Sequence, residues 1–393
     1  MNKNIVVLLT ISGLVILLIV LYINSTFRTK TRVFSNYILL DSIWEKYKLG
    51  YINQDGRVID RTDNDVTTSE GQSYAMLRSV WSDDKATFDH VWKWTKENLG
   101  RSQDALFGWR WGKRTDQTYG FMENGGESSA ADADSDIALA LIFASRRWHE
   151  NTYMDEAKEI IKDIWKHETE TVNGKRYLLP GRWAKSNTEI ILNPSYFSPY
   201  SWKIFADIDK DNNWLSLIEP AYQVLLESGT TTLDNKVGVG LPPDWVSLRW
   251  DTNQLTAPVQ TELTSNYSYD AMRIPWRIAL DYLWFDDKKA YEYLMSLNKL
   301  TELYESQKQL TAVYDHEGNP ITDYESPSMY ATSLAYLFIM EPAIAQEMYD
   351  NKILTLYNTD TNELNQNLTY YDQNWLWFSI ALYNKELPNL YET

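Results

Sequence analysis

The chain has 393 residues, of which 44% are hydrophobic, and a formal net charge of −17 at pH 7. This length can bury a large core, and the negative charge would repel phosphate backbones, so nucleic acid is excluded as an expected partner. The sequence has no cysteine, and its four histidines do not pair at a metal-ligand spacing. We therefore predict no disulfide, no thiol nucleophile, no metal site and no other cofactor.

The first predicted element is an apolar segment from Ile5 to Ile23 that contains no charged residue. It is long enough to cross a bilayer core of about 30 Å as one helix. A cleaved signal peptide is the alternative, but its apolar region should be shorter and should end at a small-residue cleavage site. We predict an uncleaved anchor and short linker over residues 1–31 and one large domain over residues 32–393.

Helical hairpins dominate the rest of the chain. Periodic apolar residues and capping signals predict one hairpin over residues 67–99 and a second that starts at Asp132 or Asp134 and returns to about residue 167. Similar helical segments follow at 199–228, 275–296 with a continuation past 298, 328–351, and finally 375–383. Strand-like segments are few and short, at 177–179 and 311–314. Periodicity alone predicts a mostly α protein.

Three stretches carry candidate chemistry, at residues 69–74 (SEGQSY), 129–138 (SAADADSDIA) and 269–273 (YDAMR). Each contains a carboxylate, and hydrolysis of a glycosidic bond uses carboxylates in pairs. The chain also has 17 tryptophans and 27 tyrosines. Most of these rings are expected to pack in the core, but flat amphipathic rings also stack on the apolar faces of sugars.

Together with residues 106–112 (LFGWRWG), 192–196 (LNPSY) and 370–373 (YYDQ), these stretches resemble, in order, the motifs of glycoside hydrolase family 8. The resemblance runs from about Tyr37 to the C-terminus. One departure is Ala131, where the family usually has Ser or Thr; it removes a hydroxyl but no carboxylate. The resemblance implies an all-α fold, an (α/α)6 barrel, and the apolar segment Ile5 to Ile23 adds one N-terminal transmembrane helix before it.

Glu70, Asp132 and Asp270 are each predicted at or just before a helix start, where a single acid is most often a helix cap. The resemblance at all three positions favours catalytic roles instead. It implies that Glu70 is the general acid and that Asp270 is the base that activates water in an inverting reaction. A helix N-terminus would lower the pKa of Glu70, so we attribute the raised pKa that an acid needs to the neighbouring charge of Asp132.

The resemblance also implies further roles at the site. Asp132 is expected to hydrogen-bond the sugar at the point of cleavage and to help hold its ring in a distorted shape. Arg273 is expected to keep Asp270 ionised, with a surface ion pair as the alternative, and Tyr269 to border the attacking water. The remaining residues that match sugar-binding motifs of the family are Trp111, Tyr196, Tyr370 and Tyr371.

The predicted function is an inverting endo-glycosidase that hydrolyses a β-linked polysaccharide, with β-1,4-glucan or a related exopolysaccharide as the leading substrate. The same fold could act on xylan, chitosan, mixed-linkage glucan or an amino-sugar exopolymer. A non-catalytic glycan-binding component of a polysaccharide export complex is a second alternative, although the intact acids count against it. By analogy, a polysaccharide synthase or export complex is the expected protein partner.

The orientation of the predicted anchor depends on two arguments that disagree. Lys3 precedes the apolar segment while Arg28, Lys30 and Arg32 follow it, so the positive-inside rule taken alone keeps the large domain in the cytoplasm. A polymer hydrolase, however, acts where its polymer is. We predict a single-pass protein of the cell membrane with its catalytic domain outside, and keep a cytoplasmic-facing protein of unrelated role as the alternative.

Overall fold

A computed structural model describes residues 39–365 and 367–392, and this part of the chain is mostly helical. The first helix, α1, is described over residues 39–51. The later helices are α2 (Ser69–Trp81), α3 (Lys85–Leu99), α4 (Ala131–Trp148), α5 (Asn151–His167), α6 (Pro199–Ile208), α7 (Ile218–Ser228), α8 (Ile274–Phe285), α9 (Lys288–Ser296), α10 (Asn298–Gln307), α11 (Pro327–Met340), α12 (Pro342–Met348) and α13 (Tyr370–Tyr383).

Six of these helices close into a ring. Helix α2 packs on α4, α4 on α6, α6 on α8, α8 on α11, α11 on α13, and α13 returns to α2. Other helices pack outside this ring, as α3 does on α2, α5 on α4, α9 on α8 and α12 on α11. The hairpins predicted over residues 67–99 and from Asp132 to about 167 are confirmed as α2–α3 and α4–α5.

Burial distinguishes the ring from the outer helices. The outer helix α5 buries one stripe, formed by Tyr153, Ala157, Ile160, Ile161 and Ile164, as is typical of a surface helix. The ring helix α4 is instead buried at every position from Ala131 to Ser145. Polar side chains on α4 must therefore find partners inside the protein, because water does not reach them.

Short antiparallel strands lie between the helices. Their bounds are β1 (Thr67–Thr68), β2 (Arg110–Lys113), β3 (Tyr119–Phe121), β4 (Thr169–Val172), β5 (Lys175–Leu178), β6 (Glu189–Leu192), β7 (Thr232–Leu233), β8 (Lys236–Val237), β9 (Val246–Arg249), β10 (Leu255–Thr256), β11 (Tyr357–Asn358) and β12 (Glu363–Leu364). Strands β1, β2 and β3 form one sheet, and β10, β9 and β6 form another. These two sheets position the site, because β1 leads directly into α2 and β6 ends just before the segment 194–196.

Two predicted elements differ from the structure. The last helix was expected over residues 375–383, but α13 begins at Tyr370 because Thr369 and Asp372 form a capping box there. The strand expected at 311–314 forms only isolated bridges, whereas the one expected at 177–179 overlaps β5. The early start of α13 places Tyr370 and its neighbour Tyr371 on the first turn of a ring helix.

The predicted membrane anchor, Ile5 to Ile23, lies outside the described residues and stays a prediction. Over residues 39–365 and 367–392, none of the helices is long and apolar enough to cross a membrane. The predicted boundary between anchor and large domain, at residue 31, lies in the same undescribed part of the chain and is likewise untested.

Candidate active site

Three carboxylates from three helix starts meet at one guanidinium group. Arg273 is 1% exposed and donates from Nη1 to Glu70 Oε2 and to Asp132 Oδ2, each at 2.9 Å, and from Nη2 to Asp270 Oδ1 at 2.5 Å. Glu70 and Asp132 lie in the first turns of α2 and α4, and Asp270 precedes the short helical turn that leads into α8. The structure thus brings together the acids that the sequence singled out, and a surface ion pair at Arg273 is excluded.

This cluster favours binding of a proton. It holds three carboxylates against one buried cation, and such an excess of like charge disfavours full ionisation. Burial raises the pKa of Glu70 to about 7; the charges of Asp132 and Asp270 add to the rise, while Arg273 and a hydrogen bond from Tyr370 oppose it. The raised pKa agrees with the prediction, but its attribution to Asp132 needs correction, because burial is the main cause.

A hydroxyl group of α13 contacts the Glu70 carboxylate. Tyr370 Oη donates to Glu70 Oε1 at 2.9 Å and lies 3.3 Å from the hydroxyl of Thr68, the N-cap of α2. The neighbouring Tyr371 hydroxyl donates to the backbone carbonyl of Tyr269. Both tyrosines that the resemblance selected on α13 therefore contact the candidate site, one through the acid and the other through the segment that carries Asp270.

Asp270 also has a raised pKa. Burial is the largest cause, Arg273 opposes it, and the charge of Asp132 adds to it. Tyr196 lies over the same arginine, with its ring centre 5.3 Å from the guanidinium carbon. Asp270 therefore sits between a cation that stabilises its charged form and surroundings that disfavour charge.

A fourth carboxylate, Asp244, supports the turn that carries Asp270 and was missed from the sequence. Asp244 is 4% exposed and accepts the backbone N–H of Ala271 at 2.7 Å, the backbone N–H of Ser268 at 3.2 Å, and the Ser268 hydroxyl. Burial, followed by the charge of Asp270, raises the pKa of Asp244 to about 7. It lies in the segment before β9, and no motif in the sequence marked it.

Two cavities adjoin this cluster. One, of about 560 Å³, is bordered by four aromatic side chains, Trp109, Trp183, Tyr196 and Trp245. The other, of about 420 Å³, is bordered by carboxyl and hydroxyl groups, those of Asp60, Thr62, Glu70, Tyr269, Asp270, Thr369, Tyr370 and Tyr371. The exposed rings of Trp183 and Tyr269, 46% and 42% accessible, leave flat surfaces free for a ligand.

The structure does not bring Trp111, a predicted sugar-binding residue, to either of these cavities. Its ring stacks on Tyr119 at 5.4 Å, meets Trp94 edge-on at 5.1 Å and lies 4.7 Å from the Arg57 guanidinium carbon. Trp111 lines a neighbouring cavity that shares Gly125 with the aromatic cavity, and none of the three clustered acids lines either of these two cavities. Trp109, two residues earlier, borders the aromatic cavity instead.

A second pair of buried carboxyl groups lies between α4, which contains Asp134, and the end of α5, which Glu168 follows. Asp134 and Glu168 are both 0% exposed. Asp134 Oδ1 accepts the backbone N–H of Phe107 at 3.0 Å, and Glu168 Oε1 accepts the Ser129 hydroxyl at 2.6 Å. Their other oxygens, Oδ2 and Oε2, are buried with no donor among the described residues, and the two carboxyl groups interact with each other. Burial raises the pKa of both groups, so the pair favours binding of a proton, while it holds the backbone of Phe107 and the side chain of Ser129.

We expect this pair to make stability depend on pH. Burial raises the pKa of Glu168 from 4.5 to about 8, so the folded protein holds a proton that the unfolded chain releases. The stabilisation is complete below about pH 4.5 and is lost as the pH rises through about 8. Glu168→Gln cannot titrate, and its melting temperature should fall less between pH 5 and 8.5, by a few degrees or more. Thermal unfolding over this pH range measures it.

The control for this prediction is Glu159→Gln on the exposed face of α5, where the side chain is 67% accessible and pairs with Lys162. It should leave the pH dependence of unfolding unchanged. Equal slopes for wild type and Glu168→Gln would contradict a proton held by the buried pair.

Comparison with known proteins places this site in a family. The model of the family described as Glycosyl hydrolases family 8 matches residues 20–371. The endoglucanase of Escherichia coli K12 is 37% identical over 238 residues, which cover 59% of this chain and 60% of that protein. Endoglucanase A of Acetivibrio thermocellus is 31% identical over 300 residues, covering 74% of this chain and 58% of that protein. The chain thus spans less than two thirds of the length of these relatives.

Solved structures agree. The crystal structure of an endo-1,4-D-glucanase from Vibrio fischeri ES114 superposes with a TM-score of 0.73 at 26% identity, covering 86% of this chain and 94% of that one. The family match extends over most of the chain, from the segment before α1 to the first turn of α13, and includes every residue of the carboxylate cluster. The chain therefore belongs to glycosyl hydrolases family 8.

Proposed function

We propose that this protein is an inverting endo-glycosidase that cleaves a β-linked polysaccharide, with β-1,4-glucan as the leading substrate, on an (α/α)6 barrel. The observation that carries the proposal is the cluster itself: Glu70, with a pKa of about 7, and Asp270 are held on opposite nitrogens of one guanidinium beside open cavities. Endoglucanase is also the name of the relatives described above.

Glu70 is the proposed general acid. Cleavage requires a proton on the leaving oxygen, and a carboxyl group with a pKa of about 7 still carries one in a large fraction of molecules at neutral pH. When the proton is on Oε1, the hydroxyl of Tyr370 can accept a hydrogen bond from Glu70 and donate its own hydrogen bond to the hydroxyl of Thr68. The acid can therefore change protonation state without losing its hydrogen-bond partner.

Asp270 is the proposed base. It removes a proton from a water molecule as the water oxygen attacks the anomeric carbon, while Glu70 protonates the departing oxygen and the glycosidic bond breaks. Because one planar guanidinium bridges them, Glu70 Oε2 and Asp270 Oδ1 lie within about 8 Å of each other. This limit is compatible with the separation of about 6.5 to 9.5 Å that leaves room for water in an inverting pair. Asp270 ends protonated and Glu70 ionised, and solvent exchange resets both.

The remaining groups of the cluster are proposed to hold the sugar. Asp132, 4% exposed, keeps one oxygen on Arg273 and the other on the backbone N–H of Ala133, so its position is fixed for a hydrogen bond to the sugar at the cleavage point. Tyr196 covers the arginine, and Tyr269 borders the second cavity. The exposed rings of Trp109 and Trp183 are proposed stacking platforms, and Trp111 stays a proposed sugar-binding residue in the neighbouring cavity.

Two features support internal cleavage of a long chain. Tyr196, which covers Arg273, borders an aromatic cavity, and Glu70 and Asp270 border a hydroxyl-rich cavity, so sugar residues can be bound on both sides of the cleaved bond. Rings that stack on apolar sugar faces suit a neutral polysaccharide such as a β-glucan. The net charge of −17 argues against a polyanionic one.

The cellular setting is proposed from the sequence alone. Residues 1–31 would form a membrane anchor and linker and residues 32–393 the catalytic domain, facing the outside of the cell membrane. An enzyme so placed could trim a polymer as it leaves a polysaccharide synthase or export complex. Protease accessibility on intact cells tests the orientation, since a domain outside the membrane is cleaved without lysis.

The function itself is tested by release of reducing ends from a panel of polysaccharides incubated with the full-length protein. The panel contains β-1,4-glucan, mixed-linkage glucan, xylan, chitosan and an amino-sugar exopolymer, with Glu70→Gln as the inactive reference. We expect the fastest release from β-1,4-glucan. Faster release from another member would reassign the substrate, and binding without release from any member would favour the non-catalytic alternative.

A further inference from the structure

Asn193 is a buried amide whose orientation is fixed by its neighbours. The residue is 1% exposed, and its Oδ1 accepts two hydrogen bonds from Ser195, from the backbone N–H at 3.0 Å and from the hydroxyl at 2.6 Å. Two donors on the oxygen leave only one amide orientation, with Nδ2 turned away from Ser195. This Nδ2 is buried and forms no hydrogen bond of good geometry with the described residues.

The same amide belongs to the network of the proposed base. The Ser195 hydroxyl, which donates to Asn193, accepts from Arg273 Nη2 at 2.7 Å, and that nitrogen also donates to Asp270 Oδ1 at 2.5 Å. Asn193 thus lies one serine and one guanidinium away from Asp270 along the hydrogen bonds. The side chain of Asn193 also lowers the pKa of Asp270 against the effect of burial, as does the side chain of Trp245.

We infer that Asn193 is a positioning residue for the base, with its Nδ2 as a further donor to the Asp270 carboxylate besides Arg273. Hydrogen bonds from Asn193 and Arg273 hold the carboxylate in one orientation. A lone pair then remains to accept the proton of the attacking water. A buried amide N–H without an acceptor lowers the free energy of unfolding, and the carboxylate of Asp270 can serve as its acceptor. The inference rests on the proposed role of Asp270.

Other charged and titratable groups also face Asp270, and their effects must be separated from that of Asn193. They are Arg273, Asp132, Asp244, Glu70, Tyr196 and Tyr371. None of them changes in a substitution at Asn193, so a shift in the titration of the base between variants reports the lost amide donor.

The test is the pH dependence of kcat/KM for the full-length protein carrying Asn193→Ala or Asn193→Asp. Loss of the donor should raise the pKa of the base, so the acidic limb of the profile should move to higher pH by about one unit, and further for Asp, which adds like charge. The maximal kcat should fall while KM stays nearly constant, because the sugar-binding groups are unchanged.

Asn389 offers a matched control. It is also a buried amide, 8% exposed, whose oxygen accepts a backbone N–H, that of Tyr391 at 3.2 Å, and whose Nδ2 lacks a partner among the described residues. Asn389→Asp should leave the acidic limb in place. Thermal unfolding of every variant shows whether it is folded, and Asn193→Asp, being isosteric, keeps the test usable if Asn193→Ala unfolds.

A lower kcat with an unmoved acidic limb in the Asn193 variants would overturn the inference and leave Asn193 as a structural residue. Unchanged kinetics would overturn it as well. Asp270→Asn separates this failure from failure of the proposed function. If Asp270→Asn is inactive and the acidic limbs of the Asn193 variants do not move, only the inference about Asn193 fails. An active Asp270→Asn would show that Asp270 is not the base, and the inference and the proposed function would then both fail.

Discussion

Replacing Glu70 by Gln should lower kcat by about 10²- to 10⁴-fold and leave oligosaccharide binding nearly unchanged. The amide has the same shape as the acid, so it can still accept from Arg273 Nη1, but it has no proton to deliver to the leaving oxygen. Steady-state kinetics on the best substrate of the panel measures kcat, and calorimetric titration with an unhydrolysed oligosaccharide measures binding.

The pH profile gives this prediction a second readout. Because the pKa of Glu70 is raised to about 7, activity of the wild type should decline on the alkaline side near that pH, as the acid loses its proton. This decline should be absent from the residual activity of Glu70→Gln. The exposed Glu159→Gln should retain both the rate and the alkaline limb. Retention of more than about a tenth of wild-type kcat by Glu70→Gln would rule out Glu70 as the acid.

Asp270→Asn should abolish turnover without accumulating a covalent intermediate. An amide cannot take the proton of the attacking water, and in a single-displacement reaction no carboxylate forms a bond to the sugar. Mass spectrometry of the variant after incubation with an activated β-glycoside should therefore show the unmodified protein. A mass increase equal to one glycosyl unit, on the variant or on wild type, would contradict the inverting mechanism and identify a nucleophile.

The sequence predicted the parts of the site that depend on local structure. The helix start at Glu70 follows from the capping residue Thr68, and the one at Asp132 follows from apolar periodicity; the structure has α2 and α4 there. The resemblance supplied the third acid and Arg273. It could not predict that Arg273 contacts all three acids, because this contact depends on how three ring helices pack.

The aromatic residues were the least predictable part. Trp109 and Trp111 belong to one short motif, and the pairing of β2 with β1 and β3 places the ring of Trp111 on Tyr119. Trp183 and Trp245 come from separate loops and meet at 5.9 Å in the folded protein. Exposure of a ring is a tertiary property, so a sequence rich in tryptophan does not indicate which rings face the ligand.

The cause of the raised pKa of Glu70 was also beyond the sequence. Sequence proximity to a helix start predicted a lowered pKa, and a neighbouring charge was the available counter-argument. Burial is the main cause instead. It depends on the tertiary fold, in which Tyr370 of α13 contacts Glu70 from 300 positions later in the chain. Asp244 was missed for the same reason, because its contact with the turn of Asp270 joins residues 27 positions apart in the chain.

If Glu70 and Asp270 act as acid and base in a single displacement by water, the reaction inverts the anomeric centre, and the anomeric form of the first product reveals this. Proton NMR during the first minutes of hydrolysis of a β-linked oligosaccharide follows this form before mutarotation equilibrates it. We expect the α-anomer to appear first. Appearance of the β-anomer first would show that the reaction retains configuration and that Asp270 is not the base of a single displacement.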